Sequence, residues 1–376
     1  MNSVLEDKFK TFLDIVIPNA ITDMHIGSGS YPYIREANRE ITPITQFGIV
    51  SYEDIIALVI YMNPLLTQEK IENTKTGIAF IYQYKWTRFR ANVSKNNDGV
   101  AVALRTIKKN TPTAEGVGLN ENVLKLLNED RGLILVTGGT GSGKTTTVIA
   151  MIDYLNKNKH KHIIMVEDPV EYILKNNQSL IHQKQVGRDV STFDQAIRDA
   201  MREDPDIIVV WEMRDQETIS AVLTLAETGH LVISTLHTND VVQAFDRLIY
   251  TFPAQMQSQV RIQIALVLSA IIGQILLPRA GKEGGNVVAR EIFINTDSSR
   301  NIIMDGNISH LYSVMETGKQ DGQVMMQQAM IDLHSSGQIT GKTLTQHVKD
   351  PVRLKDYLME LRKKWEKDES VGFFGK

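Results

Sequence analysis

The sequence predicts an α/β chain of two domains, in which a small α+β domain precedes a larger parallel-sheet domain that ends in a mainly helical segment. Three observations carry this. The chain has 376 residues, more than one hydrophobic core usually holds. Beyond a polar stretch near residue 110, short apolar runs suited to buried parallel strands recur with helix-like patterns between them. One of those runs leads straight into a glycine-rich segment of fixed spacing, Gly138-Gly139-Thr140-Gly141-Ser142-Gly143-Lys144-Thr145.

Taken in order, residues 1–107 show helix-like segments at Val4 to Val16 and Tyr52 to Leu65, then alternating strand patterns over Tyr82 to Val93 and Val100 to Ile107. These strands carry Arg88, Arg90 and Arg105. Residues 108–120 are polar and hold Pro112, Gly116 and Gly118, the composition of a linker. Residues 121–278 form the parallel-sheet core, with strands expected at Leu133 to Thr137, Ile163 to Val166, Ile207 to Val210 and Leu231 to Ser234. The longest apolar stretch, Ile262 to Leu277, carries Gln263, Ser269 and Gln274 and falls short of the roughly 20 residues that span a bilayer. It reads as a buried helix. Residues 279–376 turn largely helical and end in a helix from Pro351 to Lys367, with Leu354, Leu358, Leu361 and Trp365 on one face and Arg362-Lys363-Lys364 on a solvated one.

Composition narrows the function classes. With no cysteine, disulfide frameworks and thiolate-bound metals are excluded. Forty-one basic residues against 44 acidic ones leave a net charge of -3, which gives no footprint for general nucleic-acid binding, so no nucleic-acid partner is expected. Met1 to Ala20 scatters Glu6, Asp7, Lys8, Lys10 and Asp14 among apolar residues, unlike a secretory leader, so a cytoplasmic protein is expected.

The glycine-rich segment fits G-x-x-x-x-G-K-[ST], and its place between a strand and the helix-like run from Thr146 to Asn156 gives the pattern meaning. Glycines let backbone N–H groups turn toward phosphate oxygens, and the helix that follows adds its positive end. Gly138, Gly139, Thr140, Gly141, Ser142, Gly143, Lys144, Thr145 and Thr146 are therefore candidate nucleotide contacts, with Lys144 on the β and γ phosphates and the Thr145 hydroxyl on Mg²⁺. Such a site needs a carboxylate at the end of another strand. Glu212 follows Ile207 to Val210, where it can hold a Mg²⁺-bound water, and Glu167 follows Ile163 to Val166. Two strand-end carboxylates in adjacent strands can divide the work of orienting metal and polarising water, and spacing leaves the roles open. Strand alternation puts Trp211 on the face opposite Glu212, under a helix. His160, His162, His182, His310, His334 and His347 read as solvated rather than metal-ligating.

Four boxes in order, the glycine loop, Glu167-Asp168-Pro169-Val170-Glu171, Trp211-Glu212-Met213-Arg214-Asp215, and Thr228-Gly229-His230-Leu231 through Thr235-Leu236-His237-Thr238, resemble the secretion ATPase superfamily. They are most similar to its PilT-like branch, the type IV pilus retraction ATPases. Asp23-Met24-His25-Ile26, Arg88-Phe89-Arg90 and Leu104-Arg105-Thr106-Ile107 extend the likeness into the N-terminal domain, and Ser299-Arg300-Asn301-Ile302-Ile303 stands where that branch carries an Ala-Ile-Arg-type motif. The resemblance implies a RecA-like P-loop NTPase core, an N-terminal PAS-like domain and a helical C-terminal subdomain. It implies a cytoplasmic homohexamer at the inner face of the inner membrane, where ATP hydrolysis acts on an inner-membrane platform protein to drive pilus retraction and twitching motility. By the same resemblance Glu167 activates the attacking water, Glu212 organises Mg²⁺, His230 and His237 contact nucleotide, and Arg88, Arg90 and Arg105 complete the catalytic site. The chain departs from the pattern at Trp211, where glycine is usual, and at Ser298-Ser299. An ATPase of type IV secretion or conjugation, a nucleic-acid-translocating motor and a weakly hydrolysing regulatory ring are the alternative functions.

Overall fold

An all-antiparallel sheet and a mostly parallel one organise the chain. In the computed structural model, residues 3–17, 21–35, 40–107, 110–281 and 285–348 are described, together with Leu354, Lys355, Tyr357 and Met359. One compact unit comprises Met1–Thr111 with Glu167–Lys175 and Gln183–Asp189, and a second comprises Pro112–Val166, Asn176–His182 and Val190–Lys376.

The first unit runs α1 (Ser3–Val16), β1 (Asp23–Gly27), β2 (Tyr33–Arg35), β3 (Ile41–Pro43), α2 (Tyr52–Met62), α3 (Gln68–Asn73), β4 (Ile78–Tyr84), β5 (Thr87–Asn96) and β6 (Gly99–Ile107). The strands form one sheet in the order β3-β2-β1-β6-β5-β4, with antiparallel pairing throughout. Alternation along β5 sends Thr87, Phe89, Ala91 and Val93 into the core and leaves Arg88 and Arg90 on the other face. Phe9, Phe12, Leu13 and Val16 of α1 and Ile55, Leu58 and Val59 of α2 close that core. α2 starts where it does because the Ser51 side chain accepts from the Asp54 N–H, and Glu53 and Asp54 favour the positive helix end. The strand pattern over Tyr82 to Val93 is broken into a hairpin at Lys85-Trp86, with Lys85 in the left-handed region at φ 53°.

The elements that follow, in the second unit except for Glu167 of β8 and residues 183–185 of β9, are α4 (Glu121–Leu126), β7 (Gly132–Thr137), α5 (Lys144–Asn158), β8 (His162–Glu167), β9 (Leu180–Gln185), α6 (Phe193–Ala200), β10 (Ile207–Val210), α7 (Gln216–Glu227), β11 (Leu231–Leu236), α8 (Val241–Tyr250), α9 (Ala254–Val267), β12 (Leu268–Pro278), β13 (Asn286–Ile294), α10 (Asp297–Asp305), α11 (Leu311–Thr317), α12 (Met326–Ser335) and α13 (Gly341–His347). The sheet order is β13-β12-β7-β11-β10-β8-β9. β12, β7, β11, β10 and β8 are mutually parallel, and β13 returns antiparallel to β12. Every residue of β7, β10 and β11 is buried, as expected of central strands with both faces covered. Helices seal the core with large side chains such as Phe245 of α8, fully buried and edge-on to Phe293 at 5.7 Å. Each such ring contributes roughly 1.5–3 kcal/mol by its burial.

Two sequence expectations need correction here. Ile262 to Leu277 is not a buried helix, because α9 ends at Val267 and β12 begins at Leu268. A continuous apolar run is compatible with either state, and the helical part leaves Ile262 47% and Leu266 60% exposed. The segment after Pro278 likewise opens with a strand, β13, before its helices begin. Within residues 108–120, Ala114 and Leu119 are buried and cluster with the second unit. Of the expected terminal helix Pro351 to Lys367, all but Leu354, Lys355, Tyr357 and Met359 lies outside the described residues. Among the described residues no helix is long and apolar enough to cross a membrane.

Candidate active site

β7 leads into the glycine-rich loop, which turns back on itself before α5 begins at Lys144. Gly138 has φ 153°, and a Cβ there would lie 2.4 Å from Ser142 Oγ and 2.5 Å from the carbonyl oxygen of Gln274 on β12. Only glycine fits. The N–H groups of the first turn of α5 have no partners within the helix and stand ready for an anion. Lys144 folds over the loop, its Nζ donating to the carbonyls of Gly138 at 2.7 Å and Gly139 at 3.1 Å. Burial holds its ammonium below the usual lysine range. Ser142 is buried and its Oγ has no partner. Thr140 and Gly141 are exposed, while Gly139, Gly143, Thr145 and Thr146 are half-buried along the loop and helix start.

The sheet order brings a second group to this loop. β11 lies between β7 and β10, so the segments that leave the carboxyl ends of the three strands meet. His237, just past β11, has Nδ1 3.4 Å from Lys144 Nζ and Nε2 3.5 Å from Glu212 Oε1. Burial, then the Lys144 charge, pushes its pKa down and keeps the imidazole neutral. Glu212 Oε2 accepts from Nε and Nη2 of Arg214, each at 2.7 Å. Trp211 lies beyond the end of β10 in a bend and is half-buried, so strand alternation does not govern its indole. The Trp211 backbone N–H donates to the Val166 carbonyl at 3.0 Å, and the Trp211 carbonyl accepts from the Thr235 hydroxyl.

Glu167 ends β8, which pairs directly with β10, so the two carboxylates do follow adjacent strands. Glu167 is fully buried. Its Oε1 accepts from Gln183 Nε2 at 2.8 Å, and its Oε2 has no partner. Burial pushes its pKa up to about 7, against the lowering effect of the Gln183 hydrogen bond, with Glu171 raising it further and Arg88 lowering it. Arg88 donates to the carbonyls of Glu171 at 2.5 Å and Val170 at 3.0 Å, and Arg90 to the Glu171 carboxylate at 2.8 Å. Gln183 also donates to the Tyr172 carbonyl at 2.7 Å and accepts from the Leu174 N–H at 2.9 Å, which ties the segment after Glu167 together.

The structure thus gathers Lys144, His237 and Glu212 in one group and Glu167, Arg88 and Arg90 in another. Arg105 is placed directly opposite Arg90 in the β5–β6 pairing but turns to Asp23, its Nε donating at 2.7 Å. His230 is not brought to the glycine loop within this chain. It precedes the amino end of β11, a strand length or roughly 20 Å from the loop side. Its Nδ1 instead lies 3.1 Å from the Leu225 carbonyl and 3.2 Å from Thr228 Oγ1, closing the end of α7. Sequence reasoning missed Gln183, Arg214 and Gln274. Arg214 stands two residues from Glu212 inside a quoted box, whereas Gln183 and Gln274 lie on distant strands and give no local signal.

A strand–glycine loop–helix unit with a lysine over the loop, and a strand-end glutamate one strand removed, define a RecA-like P-loop NTPase that binds nucleotide. The chain belongs to the type II/IV secretion system protein family, which it matches over residues 55–360. It is 38% identical over 331 residues to the type IV pilus retraction ATPase PilT of Pseudomonas aeruginosa, covering 88% of this chain and 95% of that protein. It is 33% identical over 340 residues to the type IV pilus ATPase PilU of the same organism, covering 90% of this chain and 88% of that one. The crystal structure of the pilus retraction motor PilT with bound ADP superposes with a TM-score of 0.80 at 38% identity, over 92% of this chain and 98% of that one. The chain is accordingly an ATP-hydrolysing enzyme of the secretion ATPase class.

Proposed function

We propose that this chain is a homohexameric motor ATPase that retracts a type IV pilus, working from the cytoplasm on an inner-membrane platform protein. The observation that carries the reading is the likeness to PilT along 88% of the chain, N-terminal domain included, rather than along the P-loop core alone. The residues present fit ATP with Mg²⁺. Gly138 lets the loop pack against Ser142 and the Gln274 carbonyl where no Cβ fits, Ser142 Oγ is buried without a partner, and Thr145 and Glu212 are the oxygen donors Mg²⁺ prefers. Mg²⁺ held there would supply positive charge against that building on the nucleotide's phosphates.

The chain's own groups divide the work. The loop N–H groups and Lys144 bind phosphate. Glu212 and the Thr145 hydroxyl would hold the metal and its waters, while Arg214 steadies the Glu212 carboxylate at Oε2. Glu167, with a pKa close to working pH and one oxygen free, takes the proton from the attacking water. Arg88 and Arg90 hold the backbone that follows Glu167 and so set where its carboxylate points. Neutral His237 links the lysine to the glutamate and senses whether phosphate lies between them.

The test is Mg²⁺-dependent ATP turnover per subunit as a function of protein concentration, with Glu167→Gln as control, followed by complementation of a retraction-deficient strain. Turnover that rises steeply with concentration, is lost in the variant, and accompanies restored retraction is expected. Turnover independent of concentration refutes the ring. Restored secretion without retraction refutes the pilus assignment.

A further inference from the structure

Behind the glycine loop, against α5, buried polar side chains are hydrogen-bonded in series. Gln274 and Arg290 stand directly opposite each other in the antiparallel pairing of β12 and β13, so both leave the same face of the sheet. Both meet Thr147, one turn into α5. Arg290 Nη2 donates to Thr147 Oγ1 at 3.3 Å, Thr147 Oγ1 donates to Gln274 Oε1 at 2.9 Å, and Gln274 Nε2 donates to the Ser142 carbonyl at 2.7 Å. At the other end Arg290 Nη1 donates to the Gly118 carbonyl at 2.9 Å. The three side chains are 9%, 2% and 1% exposed for Arg290, Thr147 and Gln274.

We propose that Arg290 is a positioning residue for nucleotide binding, which fixes the Ser142 carbonyl of the P-loop through Thr147 and Gln274 and anchors it to the segment at Gly118. The inference rests on the reading of that loop as the phosphate site. Its physical basis is the planarity of the peptide bond. A Ser142 carbonyl held toward β12 obliges the trans-related N–H of Gly143 to point the opposite way, away from the sheet, where a loop donor is needed. The loop is also packed tightly on this chain of bonds, since a Cβ at Gly143 would come 3.3 Å from Gln274 Nε2.

Arginine suits the place because its planar fork serves two acceptors in fixed directions, the Gly118 carbonyl and the Thr147 hydroxyl, which a lysine ammonium cannot do together. Its burial is otherwise unfavourable. Desolvation pushes the guanidinium down to about 10, no carboxylate among the described residues pairs with it, and Nε has no partner. A buried cation held only by a carbonyl and a hydroxyl is poor stabilising chemistry. It makes sense as a tether that sets direction.

The experiment uses the full chain with Arg290→Met, Arg290→Lys, Gln274→Leu and the Arg290→Met/Gln274→Leu double variant. Mg-ADP affinity, KM and kcat for ATP and thermal unfolding are measured for each. Arg290→Met is expected to weaken Mg-ADP binding and raise KM about tenfold, the worth of one lost hydrogen bond of about 1.4 kcal/mol, with kcat within about twofold. Arg290→Lys should fail to rescue, and serves as the readout if the methionine variant does not fold. In the Gln274→Leu background the same substitution should change affinity by less than about twofold, because the series is already cut. A lowered unfolding temperature with unchanged affinity and KM would make Arg290 merely structural and overturn the proposal. An equal effect in both backgrounds would overturn it too. Failure of the unsubstituted chain to bind Mg-ADP would instead bring down the P-loop reading itself, and this inference with it.

Discussion

Replacing Glu167 by glutamine removes a titration from the buried interior, and the size of the effect follows from the structure. Glu167 is fully buried, and burial lifts its pKa from the ordinary 4.5 to about 7. That difference corresponds to roughly 3 kcal/mol of discrimination against the charged form. Because the folded chain keeps the proton at pH values where the unfolded chain has released it, Glu167 contributes stability that is fully present below pH 4.5. That contribution is lost as pH rises toward 7. Glutamine cannot titrate. The stability difference between the variant and the unsubstituted chain should therefore move by roughly 2–3 kcal/mol in the variant's favour between pH 5 and pH 8. Urea unfolding of the nucleotide-free proteins at intervals of one pH unit measures it. The same titration should appear in catalysis, with turnover of the unsubstituted chain climbing with pH through a midpoint near 7 and none in the variant. Gln183→Leu, which removes the hydrogen bond that lowers this pKa, should shift that climb to higher pH. A stability difference that stays constant from pH 5 to pH 8 would refute the reasoning, for it would mean that burial does not hold the proton.

Gly138→Ala must drive a Cβ into the Gln274 carbonyl, 2.5 Å away, at a φ of 153° that alanine rarely adopts. Mg-ADP affinity should fall at least tenfold and thermal unfolding by roughly 2–4 °C, read by titration and calorimetry, consistent with a strain of about 1 kcal/mol or more. Arg88→Lys keeps the charge but cannot reach the Val170 and Glu171 carbonyls as a fork. Its kcat should drop about tenfold or more with little change in KM, since the positioning of Glu167 matters only as water is activated.

The parts of the fold legible in the sequence are those whose physics is local. β5 alternates because one face meets α1 and α2, and the P-loop is continuous in sequence because one backbone turn must present all its N–H groups together. β12 was hidden for the opposite reason. Buried through Ala270, Ile271, Ile272 and Gly273, it has no polar face to set a period, and it follows α9 without a break. His230 and His237 belong to one motif on paper, yet the six residues of β11 separate them to opposite ends of that strand. Gln183 and Arg290 were invisible because their partners are far away in sequence, at Glu167 and at Gly118 and Thr147.

The strand between the glycine-rich loop and Glu212 gives the site its internal link. With β11 between β7 and β10, one side chain past its end reaches both neighbours, and His237 is that side chain. A neutral imidazole has one donor and one acceptor nitrogen, so an Nε2–H facing Glu212 leaves Nδ1 to accept from Lys144. Protonation would turn Nδ1 into a second donor and set it against the ammonium. Burial and the Lys144 charge both oppose that. The neutral tautomer thus lets the lysine's position and the glutamate's position depend on each other, so a phosphate that draws Lys144 off the Gly138 and Gly139 carbonyls also alters what Glu212 faces.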